Sequence, residues 1–262
     1  MEIAGRRFVW RALGEGPPLL LVQGYAGSAD DWPPDFLAAL GRSFSLIAPD
    51  NRGMGGSGLG DPAELTIDSM AADLEALLDE LAIERIAVLG FSMGGFIAQS
   101  LAARAPERVE SLALFSTDPG GPDAIRAEPG DWARLVDHSG TPRERASREI
   151  SLIFPPAVAS EMDREFGEIA AEAQAALDPA ALVAEERAMD KWWVAPPPGA
   201  DPSPIAPVLI GHGAEDIVIP AANAELLAAR FPGARVELFA GAGHAFPAQE
   251  PEAAAELIAS RP

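Results

Sequence analysis

Short, mostly apolar blocks recur along the chain at 19–22, 44–48, 86–89, 109–115 and 208–210. Blocks of this length bounded by Gly, Pro or Asp predict strands, and unbroken runs such as Leu19-Leu20-Leu21-Val22 suit strands buried on both faces. A further strand is expected at 7–10. Between 66 and 81 the spacing changes: Ile67, Met70, Leu74, Leu77, Leu78 and Leu81 repeat every three or four positions, the pattern of a helix with one buried face, and Thr66 is placed to cap it. A second helix is expected over 93–104.

Strands and helices that alternate with short connections imply parallel strands joined by right-handed crossovers, so the fold class is α/β with a mostly parallel, doubly wound sheet. From 118 to 204 the alternation stops, leaving helix-prone runs such as 161–177 and 179–193 and the proline-rich Ala195-Pro196-Pro197-Pro198. It resumes with a strand at 208–210, a helix over 221–230, a strand at 235–239 and a helix over 252–258. Residues 1–117 and 205–262 are therefore expected to form one core, with 118–204 a helical cap inserted before the last two strands.

Composition narrows the function. Of 262 residues, 40 are Asp or Glu and 19 Lys or Arg, a net charge of -21, and such a surface repels phosphate backbones and anionic lipid. Nucleic acid and membrane partners are not expected; a neutral or cationic small molecule is, and self-association into a homo-oligomer stays open. The absence of cysteine excludes disulfides and a thiolate nucleophile. No apolar run follows Arg6 and Arg7, so a cytoplasmic location is the default expectation. No metal-ligand cluster or phosphate-cradling loop is present, and no cofactor is implied.

The chemistry concentrates at Gly90-Phe91-Ser92-Met93-Gly94, which fits G-x-S-x-G where a strand meets a helix. A serine on so sharp a turn has strained backbone, and glycines two positions either side let strand and helix approach. The following helix aims its free N–H groups at the site. Serine needs a base, and histidine has the suitable pKa. Of His138, His212 and His244, the last lies in Gly241-Ala242-Gly243-His244, directly after the final strand, and is the expected base. Chain order Ser, Asp, His asks for an acid after a strand between them, and Asp216, after the 208–210 strand, is expected over an aspartate beside Pro119, a common turn residue. Asp118, after the 109–115 strand, is the competitor.

With these residues the chain resembles the α/β-hydrolase superfamily, near its esterase, enol-lactonase and cofactor-free haloperoxidase-like branches. Gln23-Gly24-Tyr25 and Pro49-Asp50-Asn51-Arg52-Gly53-Met54-Gly55-Gly56-Ser57 are similar to recurring segments of that family, with Gln23 standing where histidine is usual. The resemblance implies an oxyanion hole from the backbone N–H groups of Tyr25 and Met93. The expected activity is serine hydrolysis of a carboxylic ester or lactone through an acyl-serine, catalysed by Ser92, His244 and Asp216. The alternatives are a carbon–carbon lyase, cyclase or perhydrolase on the same scaffold, or a ligand-binding protein without turnover. The substrate is expected to be a mostly apolar, uncharged ester or lactone held at Gly24 and beneath the cap, where Phe154, Phe166, Met189, Trp192 and Trp193 offer apolar lining, the last two most directly.

Overall fold

The apolar blocks become the centre of a seven-stranded sheet in the computed structural model, which describes residues 1–195 and 207–260. The chain opens with a small hairpin of β1 (Glu2–Ile3) and β2 (Arg6–Arg7) and enters the main sheet at β3 (Trp10–Leu13). There follow β4 (Pro18–Val22), α1 (Pro34–Leu40), β5 (Ser45–Pro49), α2 (Ile67–Glu80), β6 (Ile86–Phe91), α3 (Met93–Arg104) and β7 (Val109–Phe115). Four helices come next: α4 (Pro129–Leu135), α5 (Pro142–Ile153), α6 (Pro156–Ala176) and α7 (Pro179–Val194). The chain then forms β8 (Val208–Gly213), α8 (Asn223–Arg230), β9 (Arg235–Phe239), α9 (Phe246–Gln249) and α10 (Pro251–Ala259). Strand order is β3-β5-β4-β6-β7-β8-β9, with β3 antiparallel to β5 and every other pair parallel.

Why the sheet is doubly wound is written in the pleat, since successive strand residues face opposite sides. Leu20, Val22, Val88, Leu112, Leu114 and Ile210 pack against residues of α2, α3 and α8. Their neighbours Leu19, Leu21, Ala87, Leu89, Ala113 and Leu209 pack against α1 and α10. Unbroken apolar runs are what a sheet covered on both faces requires.

One strand departs from expectation: Phe8 and Val9 lie outside any strand, and the sheet edge begins at Trp10. The β1–β2 hairpin and two further bonds pin the chain first, Phe8 N–H to Met1 C=O (2.9 Å) and Val9 N–H to Ser57 Oγ (2.9 Å). Ala195 caps α7, whereas Pro196-Pro197-Pro198 and the 204/205 boundary lie outside the described residues. Among the described residues no helix is long and apolar enough to cross a membrane.

Beneath the hairpin, Arg52 donates through Nε (2.8 Å) and Nη2 (2.9 Å) to the buried Asp73 carboxylate on α2, which also accepts from Arg6. This ties the loop after β5 to α2 and to the hairpin. Removing one partner of a buried ion pair leaves the others uncompensated. Asp73→Ala should therefore cost about 3–5 kcal/mol, read as a lower urea midpoint, whereas a change below about 1 kcal/mol would show the cluster to be inert.

Candidate active site

Ser92 sits where β6 gives way to α3, with φ 55° and ψ −126°. Few non-glycine residues adopt positive φ, and the strain persists only where the surroundings over-determine it. Here they do. The Ser92 N–H donates to Phe115 C=O of β7 (2.9 Å), and its C=O accepts from Gly95 N–H (2.8 Å) and from Thr117 Oγ1 (2.8 Å). A Cβ on Gly94 would lie 2.0 Å from Val22 C=O, and one on Gly90 would lie 2.4 Å from Gly94 C=O, so both positions exclude side chains. Ser92 Oγ is left projecting at the carboxyl edge of the central strands with the N-terminus of α3 behind it.

The turn after β9 carries His244, and the turn after β8 carries Asp216. His244 Nδ1 lies 2.8 Å from Asp216 Oδ2, both buried. Because a carboxylate only accepts, Nδ1 carries the proton and Nε2 keeps its lone pair, able to take a proton. The other Asp216 oxygen accepts from the N–H groups of Val218 (2.8 Å) and Ile219 (2.9 Å). Burial pushes the Asp216 pKa up, but the His244 charge and the bonds from His212 and His244 outweigh it and bring it down to about 2. His212 Nε2 faces Ile219 C=O at 2.7 Å and Asp216 Oδ2 at 3.2 Å, both acceptors, so it is the protonated nitrogen.

Two residues that sequence reasoning passed over hold this arrangement. Thr117 anchors the Ser92 turn, and Ser116 Oγ donates to His244 C=O at 2.8 Å. Both follow β7 directly, and adjacency of β7 to β6 is the signal that would have found them. On the insertion, Ile153 C=O at the end of α5 accepts Ala245 N–H at 3.0 Å, steadying the histidine turn.

The loop after β4 supplies the opposite wall. Gly24 N–H is taken by Gln23 Oε1 (2.9 Å), Gln23 C=O accepts from Asn51 Nδ2 (2.8 Å), and Gly27 N–H closes a turn on Gly24 C=O (3.2 Å). Among the described residues neither Tyr25 N–H nor Met93 N–H has a protein acceptor. Helix α7 grips the same loop: Glu185 Oε2 accepts Ala26 N–H (2.9 Å), and Glu186 Oε1 accepts Tyr25 Oη–H (2.8 Å) and meets His138 Nε2 (2.6 Å).

Ser92, His244, Gly24 and Tyr25 line one cavity of about 270 Å³. Its roof is formed by α4–α6 and the start of α7, with Leu135, Ile153, Phe154, Leu177 and Leu182 among the lining. The wall also carries Glu149, whose Oε2 accepts from Gln174 Nε2 at 2.8 Å and whose pKa burial pushes up. His138 lines the cavity, as does Phe154, whereas Phe166 is exposed and Met189 belongs to the core.

Trp192 and Trp193 are not brought to the cavity, which corrects the expectation that they line it. They are 2% and 8% exposed and pack on Phe96 of α3, with ring centroids 5.1 and 6.1 Å away. Buried indoles need an acceptor, and Asp118 provides it: Trp192 Nε1 donates to Oδ1 at 3.1 Å and Trp193 Nε1 to Oδ2 at 2.9 Å. Asp118 is thus occupied with seating α7, while Asp216 is the aspartate bonded to His244.

Burial raises the Glu185 pKa to about 8, with the Ala26 N–H opposing and the Glu186 charge adding to the rise. A carboxyl whose folded pKa exceeds its unfolded value near 4.5 stabilises fully below that value, and the contribution is lost as pH climbs through about 8. Glu185→Gln escapes that loss. Its unfolding free energy relative to wild type should rise steadily between pH 5 and pH 8 and then level off; urea titrations giving the same difference at all pH values would contradict the assignment.

The fold has counterparts among known proteins. A family model of the alpha/beta hydrolase fold matches residues 17–141, and a model of the Dienelactone hydrolase family matches residues 194–261. A relative from Azorhizobium caulinodans, provisionally named a carbamate hydrolase, is 27% identical over 261 residues, 94% of this chain and 91% of its own. The enol-lactonase from Burkholderia xenovorans LB400 superposes with a TM-score of 0.83 at 25% identity, covering 98% of this chain and 96% of its own. A thermophilic esterase from Thermogutta terrifontis gives 0.79 at 25% identity, covering 97% and 92%. The chain belongs to the α/β-hydrolase superfamily and is a hydrolase of that fold.

Proposed function

We propose that the protein cleaves a carboxylic ester or lactone through an acyl-Ser92 intermediate. The observation that carries this reading is the His244 Nδ1 to Asp216 Oδ2 bond at 2.8 Å, which leaves Nε2 as a base in the cavity that Ser92 also lines. His244 takes the Ser92 proton as Oγ attacks the carbonyl carbon, and the tetrahedral oxyanion is met by the Tyr25 and Met93 N–H groups. His244 then gives its proton to the leaving oxygen. Water, deprotonated by the same nitrogen, releases the acid and restores the serine. Asp216 holds the imidazole in the tautomer this needs and stabilises the imidazolium.

The cavity supports a substrate of modest size and largely apolar surface, since Trp32, Phe91, Phe154, Leu182 and Val218 contribute to its walls. Helices α4–α7 serve as its cap. The relative provisionally named a carbamate hydrolase makes a carbamate a worthwhile member of any substrate panel, because its carbonyl is open to the same attack.

Incubation with a fluorophosphonate should add one adduct, which peptide mass spectrometry places on Ser92; an active enzyme labelled elsewhere or not at all would overturn the reading. Asp216→Asn should lower kcat for a nitrophenyl ester by a factor on the order of 10³–10⁴. Asp118→Asn should weaken the fold by about 1–3 kcal/mol, because one indole N–H loses its carboxylate oxygen, yet keep kcat within about tenfold. A larger kcat loss in the folded Asp118 variant would move the acid to that strand.

A further inference from the structure

The loop carrying the Tyr25 N–H is a tight turn from Gly24 to Gly27, closed by the 3.2 Å bond between them, with Tyr25 and Ala26 at its centre. Ala26 has φ 59°. Positive φ at that position belongs to turns that ordinarily place Gly or Asn there, because a Cβ makes the conformation strained. Rotating the Tyr25–Ala26 peptide by a half-turn would bring Ala26 to negative φ and still keep the closing bond. Something must hold the peptide the other way. Its N–H donates to Glu185 Oε2 at 2.9 Å, and a rotated peptide would instead aim the Tyr25 C=O at that carboxyl.

Among the described residues Glu185 makes no other hydrogen bond. It is fully buried, and its second oxygen, Oε1, has no partner among the described residues. A buried carboxyl with an orphan oxygen opposes folding, so an apolar residue would pack better at this position of α7. Next to it, Glu186 holds the Tyr25 hydroxyl, so two consecutive cap residues grip two consecutive loop residues.

We propose that Glu185 is a positioning residue for the oxyanion site: reaching down from the cap, it fixes the strained Tyr25–Ala26 peptide and so holds the turn that presents the Tyr25 N–H. The inference rests on the reading of Tyr25 as an oxyanion donor. It also makes that donor conditional on α7 being seated on the core, which Trp192, Trp193 and Asp118 accomplish.

The test uses steady-state kinetics on a nitrophenyl ester together with the rate of fluorophosphonate labelling. Glu185→Leu, close in shape but without an acceptor, should lower kcat roughly 10- to 100-fold, less than the 10²–10³ that follows outright removal of an oxyanion donor. KM should stay within about threefold, and labelling should slow in proportion to kcat. Glu185→Gln keeps a carbonyl acceptor and should recover kcat to within about threefold of wild type. Adding Ala26→Gly to Glu185→Leu removes the strain and should restore at least half of the loss on a logarithmic scale. If Glu185→Leu does not fold, Glu185→Met takes its place with the same expectations. A folded Leu or Met variant with kcat within threefold of wild type, a Gln variant as slow as Leu, or a loss confined to KM would overturn the inference. Failure of the wild-type enzyme to label at Ser92 would instead sink the proposed function beneath it.

Discussion

Everything at the site depends on one unfavourable backbone conformation, the positive φ of Ser92. An L-residue held there is under strain, and three contacts prevent relaxation: the bond to Phe115 C=O, the bond from Thr117 Oγ1, and the approach of α3 to β4 that only Gly94 permits. The first of these is a consequence of β6–β7 pairing and the last of β4–β6 pairing, so the centre of the sheet is what sets the serine. The strain in turn sets Ser92 at the carboxyl edge of the strands, where it lines the cavity. Stability of the sheet is converted into placement of one oxygen.

The helices between β7 and β8 act on the site from the other side. Besides roofing the cavity, they hold its frame: α5 through Ile153 C=O on the histidine turn and α7 through Glu185 and Glu186 on the loop after β4, with two indoles at the end of α7 seating that helix on Asp118. The insertion encloses the cavity and also fixes the two turns that face each other across it, so its docking and the geometry of the site are a single packing problem.

Much of this was legible in the sequence. Strand blocks at 19–22, 86–89 and 109–115 announced the buried sheet because residues covered on both faces leave no polar alternation, and the glycines around Ser92 announced the turn because the turn admits nothing larger. His244 and Asp216 could be favoured by their places after the last strands, with Asp118 as a competitor, and the structure brings the two to hydrogen-bond distance. What escaped were residues that carry no motif and whose role depends on a partner distant in sequence. Trp192 and Trp193 read as apolar lining because a helical stripe does not say which way it faces, and they face Asp118 and Phe96 instead. Glu185 belongs to no motif and is fully buried. Ser116 and Thr117 carry no pattern at all; only the neighbouring of β6 and β7 gives them work. The first strand began three residues late because the hairpin ahead of it, invisible to periodicity at two residues per strand, took up Arg6 and Arg7.

The most direct measurement of the central claim is acid-quenched peptide mass spectrometry during turnover of a nitrophenyl ester. The account predicts that the peptide containing Ser92 gains the mass of the acyl group, that this species decays at the rate acid is released, and that Ser92→Ala shows neither adduct nor burst. Turnover at an undiminished rate with no acylated Ser92 peptide at any time point, or with the acyl group on another residue, would contradict it.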